Sequence, residues 1–192
     1  HYYGCCACIG AAGIGLFPKM QLLSSDNGLV LNLFANGYAE GITPQNNKVI
    51  FNIETEYPKD GNIKISLKLE NPEKFLLEIR NPYWSKNTKV SVNGNFTEVN
   101  ENYIKTEKLW ENGDIIELEL DMRTKAIYPV PYGSQVLMSK VIWGKNYTVP
   151  LFDEEDPIAH KHIALRRGPI MLAQENRLGY SVDIPVSIKV ND

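Results

Sequence analysis

The chain has 192 residues, 43% apolar and 22% charged, with a formal net charge of −3 from 20 basic and 23 acidic side chains. That length can bury a core without staples, and that balance excludes a disordered or fibrous chain. No apolar run reaches the roughly 20 residues of a membrane-spanning helix, and no Lys/Arg run offers a partner to a phosphate backbone, so neither a membrane nor nucleic acid is expected as a partner.

The chain opens HYYGCCACIGAAGIGLFPKMQLL, and Cys5, Cys6 and Cys8 are its only cysteines. It begins with His1, without Met and without a basic-then-apolar leader, which suggests a piece of a longer protein. A vicinal pair closes only into a strained ring, and three thiols cannot all pair. Reduced thiols are therefore expected, which leans towards the cytoplasm. The sequons at Asn95 and Asn146 point weakly the other way, so the compartment stays open. Residues 7–23 are small and apolar without period-2 alternation, as in a buried helix that Pro18 ends or kinks.

From there the chain reads as β. In IKISLKLE, Ile63, Ile65, Leu67 and Leu69 alternate with polar partners, the pattern of a half-buried strand. Ile116, Leu118, Leu120 and Met122 repeat it. Further strands are expected over 29–34, 48–56, 75–80, 89–92, 103–106, 162–173 and 181–190. Turn signals separate them at Asp26-Asn27-Gly28, Pro58-Lys59-Asp60-Gly61, Asn93-Gly94 and Glu111-Asn112-Gly113-Asp114. Asn-Gly is a strong two-residue hairpin signal, because both residues tolerate positive φ. Residues 128–160 hold four prolines and little alternation, and read as a long loop or insertion. Many short alternating strands at this spacing predict a mainly β fold with antiparallel sandwiches.

Several side chains could carry chemistry. Thiolates are nucleophiles and soft metal ligands, but two adjacent thiols make at best half a zinc site, and His160 and His162 do not stand at ligand spacing. The bland alternative packs the thiols beside Ala7, Ala11 and Ala12. Gly10-x-x-Gly13-x-Gly15 has no preceding strand, so helix packing explains it better than a nucleotide-binding turn. Tyr83, Trp84 and Trp110 could form a sugar-stacking platform, or could be core. Glu154-Glu155-Asp156 could bind a cation, or be a solvated charge run. Arg166-Arg167-Gly168-Pro169 suggests a structural Arg beside a bulge or an edge.

Taken together, several phrases resemble the C-terminal part of glycoside hydrolase family 127, the β-L-arabinofuranosidase-like group. They are the Cys5-Cys6 pair opening an apolar helix, residues 54–61 (ETEYPKDG), 77–84 (LEIRNPYW), 90–94 (VSVNG), 110–114 (WENGD) and 164–169 (ALRRGP), in the family's order. The resemblance implies an (α/α)6-barrel catalytic domain followed by β-sandwiches, and a retaining glycosidase whose zinc is held by cysteines and a glutamate. It implies that Cys5 is the nucleophile, that Cys5 and Cys6 ligate zinc, and that the partner is an L-arabinofuranoside-type glycan. The remaining zinc ligands and the acid/base find no counterpart in these residues. Members commonly carry Pro, Gly or Asn after the pair, where this chain has Ala7-Cys8.

The resulting expectation is a mainly β fold: residues 1–23 as the remnant of a helical catalytic barrel, and 24–192 as β-sandwich with a break near 125–160. The chain would be part of a zinc-dependent glycosidase and inactive by itself, able to self-associate through residues 1–17. A non-catalytic carbohydrate-binding or structural sandwich is the alternative, favoured as a binder if Tyr83, Trp84 and Trp110 prove exposed.

Overall fold

The computed structural model describes residues 4–127, 137–142, 145–150, 163–173, 177 and 179. The chain divides into two compact units, His1–Met122 and Arg123–Asp192.

The first unit starts with a helix, α1 (Gly4–Gln21). It runs past Pro18 to Gln21 and so does not end at the proline. Strands follow as β1 (Leu22–Ser25), β2 (Gly28–Leu31), β3 (Gly37–Ile42), β4 (Lys48–Thr55), β5 (Asn62–Leu69), β6 (Glu73–Arg80), β7 (Thr88–Val92), β8 (Asn95–Val99), β9 (Tyr103–Trp110) and β10 (Ile115–Glu119). They form a four-stranded sheet, β1-β2-β6-β9, and a six-stranded sheet, β3-β4-β5-β10-β7-β8. All pairs in them are antiparallel except β2 with β6, which run parallel.

One apolar core joins the two sheets. From the six-stranded sheet come Val49, Phe51, Ile53, Ile63, Ile65, Leu67, Leu69, Ile116 and Leu118. From the four-stranded sheet come Leu29, Leu31, Phe75, Leu77, Ile79, Ile104 and Trp110. β4, β5, β6 and β10 supply alternate residues, so the period-2 sets of β5 and β10 face inward as their sequence predicts. Trp110 is fully buried (0% exposed). Its Nε1–H donates to the Phe75 carbonyl at 3.1 Å, and its ring lies 6.0 Å from that of Phe75. A buried indole N–H thus finds its acceptor inside the core.

Polar clamps close the sandwich ends. Buried Glu73 accepts from Thr43 Oγ1 and from the Gln45 N–H, pinning the β3–β4 turn to β6. Asn81 donates from Nδ2 to the Glu101 carbonyl and accepts at Oδ1 from Thr88, whose hydroxyl also meets Ser85 Oγ at 2.6 Å. Ser85 Oγ in turn accepts the Asp121 N–H. Asn93-Gly94 makes the β7–β8 hairpin with φ of 56° and 106°, as its sequence predicts. Asn93 also ties that hairpin to the β9–β10 turn, accepting the Ile115 N–H and donating to Asp114 at 2.8 Å. Asp114 takes a Lys108 Nζ at 2.9 Å and the Glu111 N–H at 3.0 Å as well. Burial pushes the Asp114 carboxyl up, but those hydrogen bonds and the Lys108 charge outweigh it and hold it below the ordinary Asp value.

The second unit contains β11 (Thr124–Ile127), β12 (Leu137–Ile142), β13 (Lys145–Pro150), β14 (Ala164–Arg167) and β15 (Ile170–Leu172). β11, β14 and β15 form an antiparallel sheet, and β12 pairs with β13. The expected loop over 128–160 therefore contains a hairpin. The expected strand over 162–173 is folded back on itself: Gly168, with φ of 56°, starts a two-residue turn where a bulge or edge was expected. The strand expected over 181–190 lies outside the described residues.

Two outcomes test this architecture. A Cβ on Gly28 would stand 1.7 Å from the Leu76 carbonyl oxygen of the parallel neighbour. Gly28→Ala should lower the urea midpoint by an amount equivalent to about 1–3 kcal/mol, with an unchanged m-value. For Asp114, a depressed folded pKa means stabilisation that is present above the ordinary Asp value of about 3.9 and lost as pH falls through the folded one. Asp114→Asn should cost about 1–2 kcal/mol at neutral pH, and its gap from the parent chain should close as urea midpoints are taken below about pH 4. A gap that does not change with pH would remove the ionic account of the clamp.

Candidate functional site

The thiol cluster stands on α1. The helix is apolar around its whole circumference and carries no charge before Lys19. Yet only its last residue, Gln21, is buried; Ile9 is 73% exposed and Ile14 78%. The expectation of a buried helix with packed thiols is corrected: Cys5, Cys6 and Cys8 are free and exposed. The sandwich holds the helix at its C-terminal end. There the Gln21 carbonyl accepts the Asn32 N–H at 2.8 Å, and Asn32 Nδ2 donates to the Met20 carbonyl at 3.2 Å. Both bonds satisfy carbonyls that a helix end leaves open. At 1.5 Å per residue, Cys5 lies about 24 Å along the axis from that anchor.

Cys5 Sγ and Cys6 Sγ stand 3.8 Å apart. Two sulfurs on one tetrahedral zinc, each at about 2.3 Å, are separated by about 3.8 Å. The separation of the pair matches that of two ligands of such an ion. Among the described residues, no group of three or more His, Cys, Asp or Glu side chains could hold a metal, so Cys8 does not complete the set. The pair can supply a sulfur nucleophile and two thiolates. It cannot supply an acid/base or the rest of a zinc site. His160, His162 and residues 154–156 lie outside the described residues.

The aromatic candidates are not brought together on a surface. Trp84 is 6% exposed and Trp110 is sealed in the core, while Tyr83 is 69% exposed. A stacking platform of all three is thus overturned in favour of core packing. Gly10, Gly13 and Gly15 lie inside α1, which excludes a phosphate-cradling turn after a strand, and no described residue stands within 4 Å of a Cβ placed on any of them. Arg166 is half-buried and Arg167 exposed, both on β14.

A cleft that sequence reasoning passed over lies on the outer face of the six-stranded sheet. The strand register sets Glu54, Lys64, Glu117, Ser91 and Phe96 in one row across five strands. The cleft is open, about 410 Å³ in volume, and lined by Glu54, Glu56, Asp60, Glu117 and Glu119 against Lys64, with Phe96 at its side. Its only signal in the sequence is the polar half of each alternating strand. That half marks an outer face of any sandwich and does not single out a site.

Residues 28–122 match the model of the beta-L-arabinofuranosidase GH127 middle domain. The chain is similar to the solved structure of a GH127 beta-L-arabinofuranosidase from Geobacillus stearothermophilus T6, with 22% identity and a TM-score of 0.68 over 88% of this chain and 24% of that one. It is similar to a structure described as a glycoside hydrolase, with 21% identity and a TM-score of 0.58 over 79% of this chain and 22% of that one. It is also similar to a GH127 beta-arabinofuranosidase, with 22% identity and a TM-score of 0.56 over 79% and 23%. At such identities the likeness speaks for the fold. The chain spans about a quarter of the length of these structures. No curated protein sequence matches it.

Proposed function

We propose that this chain, whose residues 28–122 belong to the glycoside hydrolase family 127 middle-domain family, is part of a zinc-dependent retaining glycosidase acting on β-L-arabinofuranosides. The family match carries the reading; the 3.8 Å separation of Cys5 and Cys6 supports the assignment of its metal and nucleophile. In this reading residues 1–23 are the end of a helical catalytic barrel, which accounts for an apolar helix with so little of its own to pack against. The sandwich is scaffold, and carbohydrate binds at the barrel.

Cys5 and Cys6 would hold the zinc, completed by ligands from outside these residues. Bound zinc would keep the thiols deprotonated at neutral pH. Cys5 Sγ attacks the anomeric carbon and the leaving oxygen takes a proton from an acid outside this chain. A glycosyl thioether results, and water then cleaves it with the same acid/base acting in reverse. With neither the acid/base nor a full ligand set, the chain alone is inactive. It self-associates through the exposed apolar residues of the first seventeen.

In the full-length protein carrying this chain, Cys5→Ser should lower turnover of an aryl β-L-arabinofuranoside by about 10³-fold or more, the scale of losing a covalent nucleophile. Circular dichroism should stay unchanged. Activity retained in the variant would end the nucleophile assignment, and a full-length protein inactive on every aryl arabinofuranoside would end the glycosidase reading. For the chain itself, light scattering should show a mass that rises with concentration, and Ile9→Glu with Ile14→Glu should return it to a monomer. A wild-type monomer at all concentrations would overturn self-association.

A further inference from the structure

Cys8 is the thiol that the zinc–nucleophile assignment leaves unused. It stands three residues after Cys5 in the first turns of α1, and both side chains are exposed. We propose that Cys5 and Cys8 are a thiol-redox site, closing reversibly into an intrachain disulfide while Cys6 stays reduced. The proposal concerns the sulfur chemistry of this helix and does not rest on the glycosidase reading.

Helix geometry selects the pair. Residues three apart lie about 60° from each other around the axis, with Cα atoms about 5 Å apart, within the roughly 4.4–6.8 Å that a disulfide spans. Cys6 and Cys8, two apart, point to nearly opposite sides and cannot meet without unwinding the turn. Cys5 and Cys6 are close at 3.8 Å, but joining vicinal residues demands the strained ring that a helical backbone does not accommodate. For Cys5 and Cys8, the Cβ atoms of a regular helix are about 5–6 Å apart and must come to about 4 Å. Gly4 opens the helix immediately before Cys5. The first N–H groups of a helix have no partner within it, so this turn tightens with less loss of hydrogen bonding than any interior turn. The side chains between and beyond the pair are Cys6, Ala7 and Ile9, followed by Gly10, where a Cβ would meet nothing within 4 Å. No carboxylate stands on the helix to repel an approaching anionic disulfide.

The oxidant is a low-molecular-weight disulfide such as oxidised glutathione. The Cys5 thiolate attacks one of its sulfurs; that S–S bond breaks and one glutathione thiolate leaves, giving a mixed disulfide on Cys5. The Cys8 thiolate then attacks Cys5 Sγ, forming the Cys5–Cys8 bond and releasing the second glutathione thiolate. The two departing thiolates take up the two protons lost from Cys5 and Cys8, and glutathione disulfide is reduced by two electrons. Where Cys5 also serves as a sugar nucleophile, closure withdraws it.

The test is made on the full 192-residue chain, metal-free and dilute, incubated with oxidised glutathione, alkylated, and read by intact mass and fragment sequencing. The expected result is a monomer lighter by two hydrogens, with titratable thiols falling from three to one and the surviving alkylated thiol at Cys6. Cys8→Ser should stop at a glutathione adduct, and Cys6→Ser should still close. Three free thiols after oxidant, closure that survives Cys8→Ser, or a disulfide-linked dimer in place of the closed monomer would each overturn the proposal.

Discussion

The structure of the first unit depends on a single shared core, in which two sheets bury alternate residues against each other around Trp110. Trp110 is the last residue of β9 and pairs in register with Glu73, the first of β6. Its ring fills the core, its N–H is spent on the Phe75 carbonyl, and Lys108 Nζ lies 5.0 Å from its ring centroid. Burying so large a side chain contributes several kcal/mol only if its polar atom is satisfied in place. The register of β6 with β9 provides that, so the sheet pairing and the core packing require each other. A one-residue slip of β6 would turn Leu77 and Ile79 to solvent, and one of β9 would turn out Ile104 and Trp110.

Polar residues then decide how the strands are connected. Asn93 serves two turns at once, with the backbone of one hairpin and the amide that clamps the other. Asp114 gathers Asn93, Lys108 and Glu111 at that point. Asn81, Ser85 and Thr88 do the same at the end of β6 and the start of β7. Of these, Asn81, Asn93, Glu111 and Asp114 lie within the phrases that carry the family resemblance: RNPYW, VNG and WENGD. Most of that resemblance is therefore the chemistry of turns and core anchors in a sandwich. It says which fold the chain has, and it bears on catalysis only through what that fold accompanies.

The same division explains what could be read in the sequence. β4, β5, β6, β9 and β10 were legible because each has one buried face, and the period-2 pattern records it. β3 buries only Ala39 and β8 buries nothing fully, as expected for strands at the two edges of the six-stranded sheet. With no apolar set to alternate, neither leaves a pattern; β8 is implied only by the Asn-Gly turn before it. The parallel pairing of β2 with β6 was likewise hidden. It requires Gly28 at a carbonyl contact, and a glycine after Asp-Asn reads equally well as part of a turn. Residues 137–150 mix Val, Ile and Trp with Lys and Asn without a clean period, so their hairpin read as loop. At the thiols, spacing was legible and environment was not. Small apolar neighbours suggest burial wherever a partner surface exists, and this helix touches the sandwich at its far end.

That contrast bears on where the proposed chemistry would sit. Three strongly buried polar groups of the sandwich are each committed to a clamp: Glu73 to Thr43 and Gln45, Asn81 to Thr88 and Glu101, Asp114 to three donors. Groups held this way are poor candidates for catalysis, because any reaction that changed their charge would loosen the fold. Among the described residues the thiols are held by nothing but their own helix, and they are exposed and of a kind that reacts as anions. In the proposed reading, a group about 24 Å along the helix from its anchor on the sandwich would react without disturbing the core. In that reading the sandwich supplies stability and the thiol helix reactivity, the two meeting where Asn32 bonds the Met20 and Gln21 carbonyls.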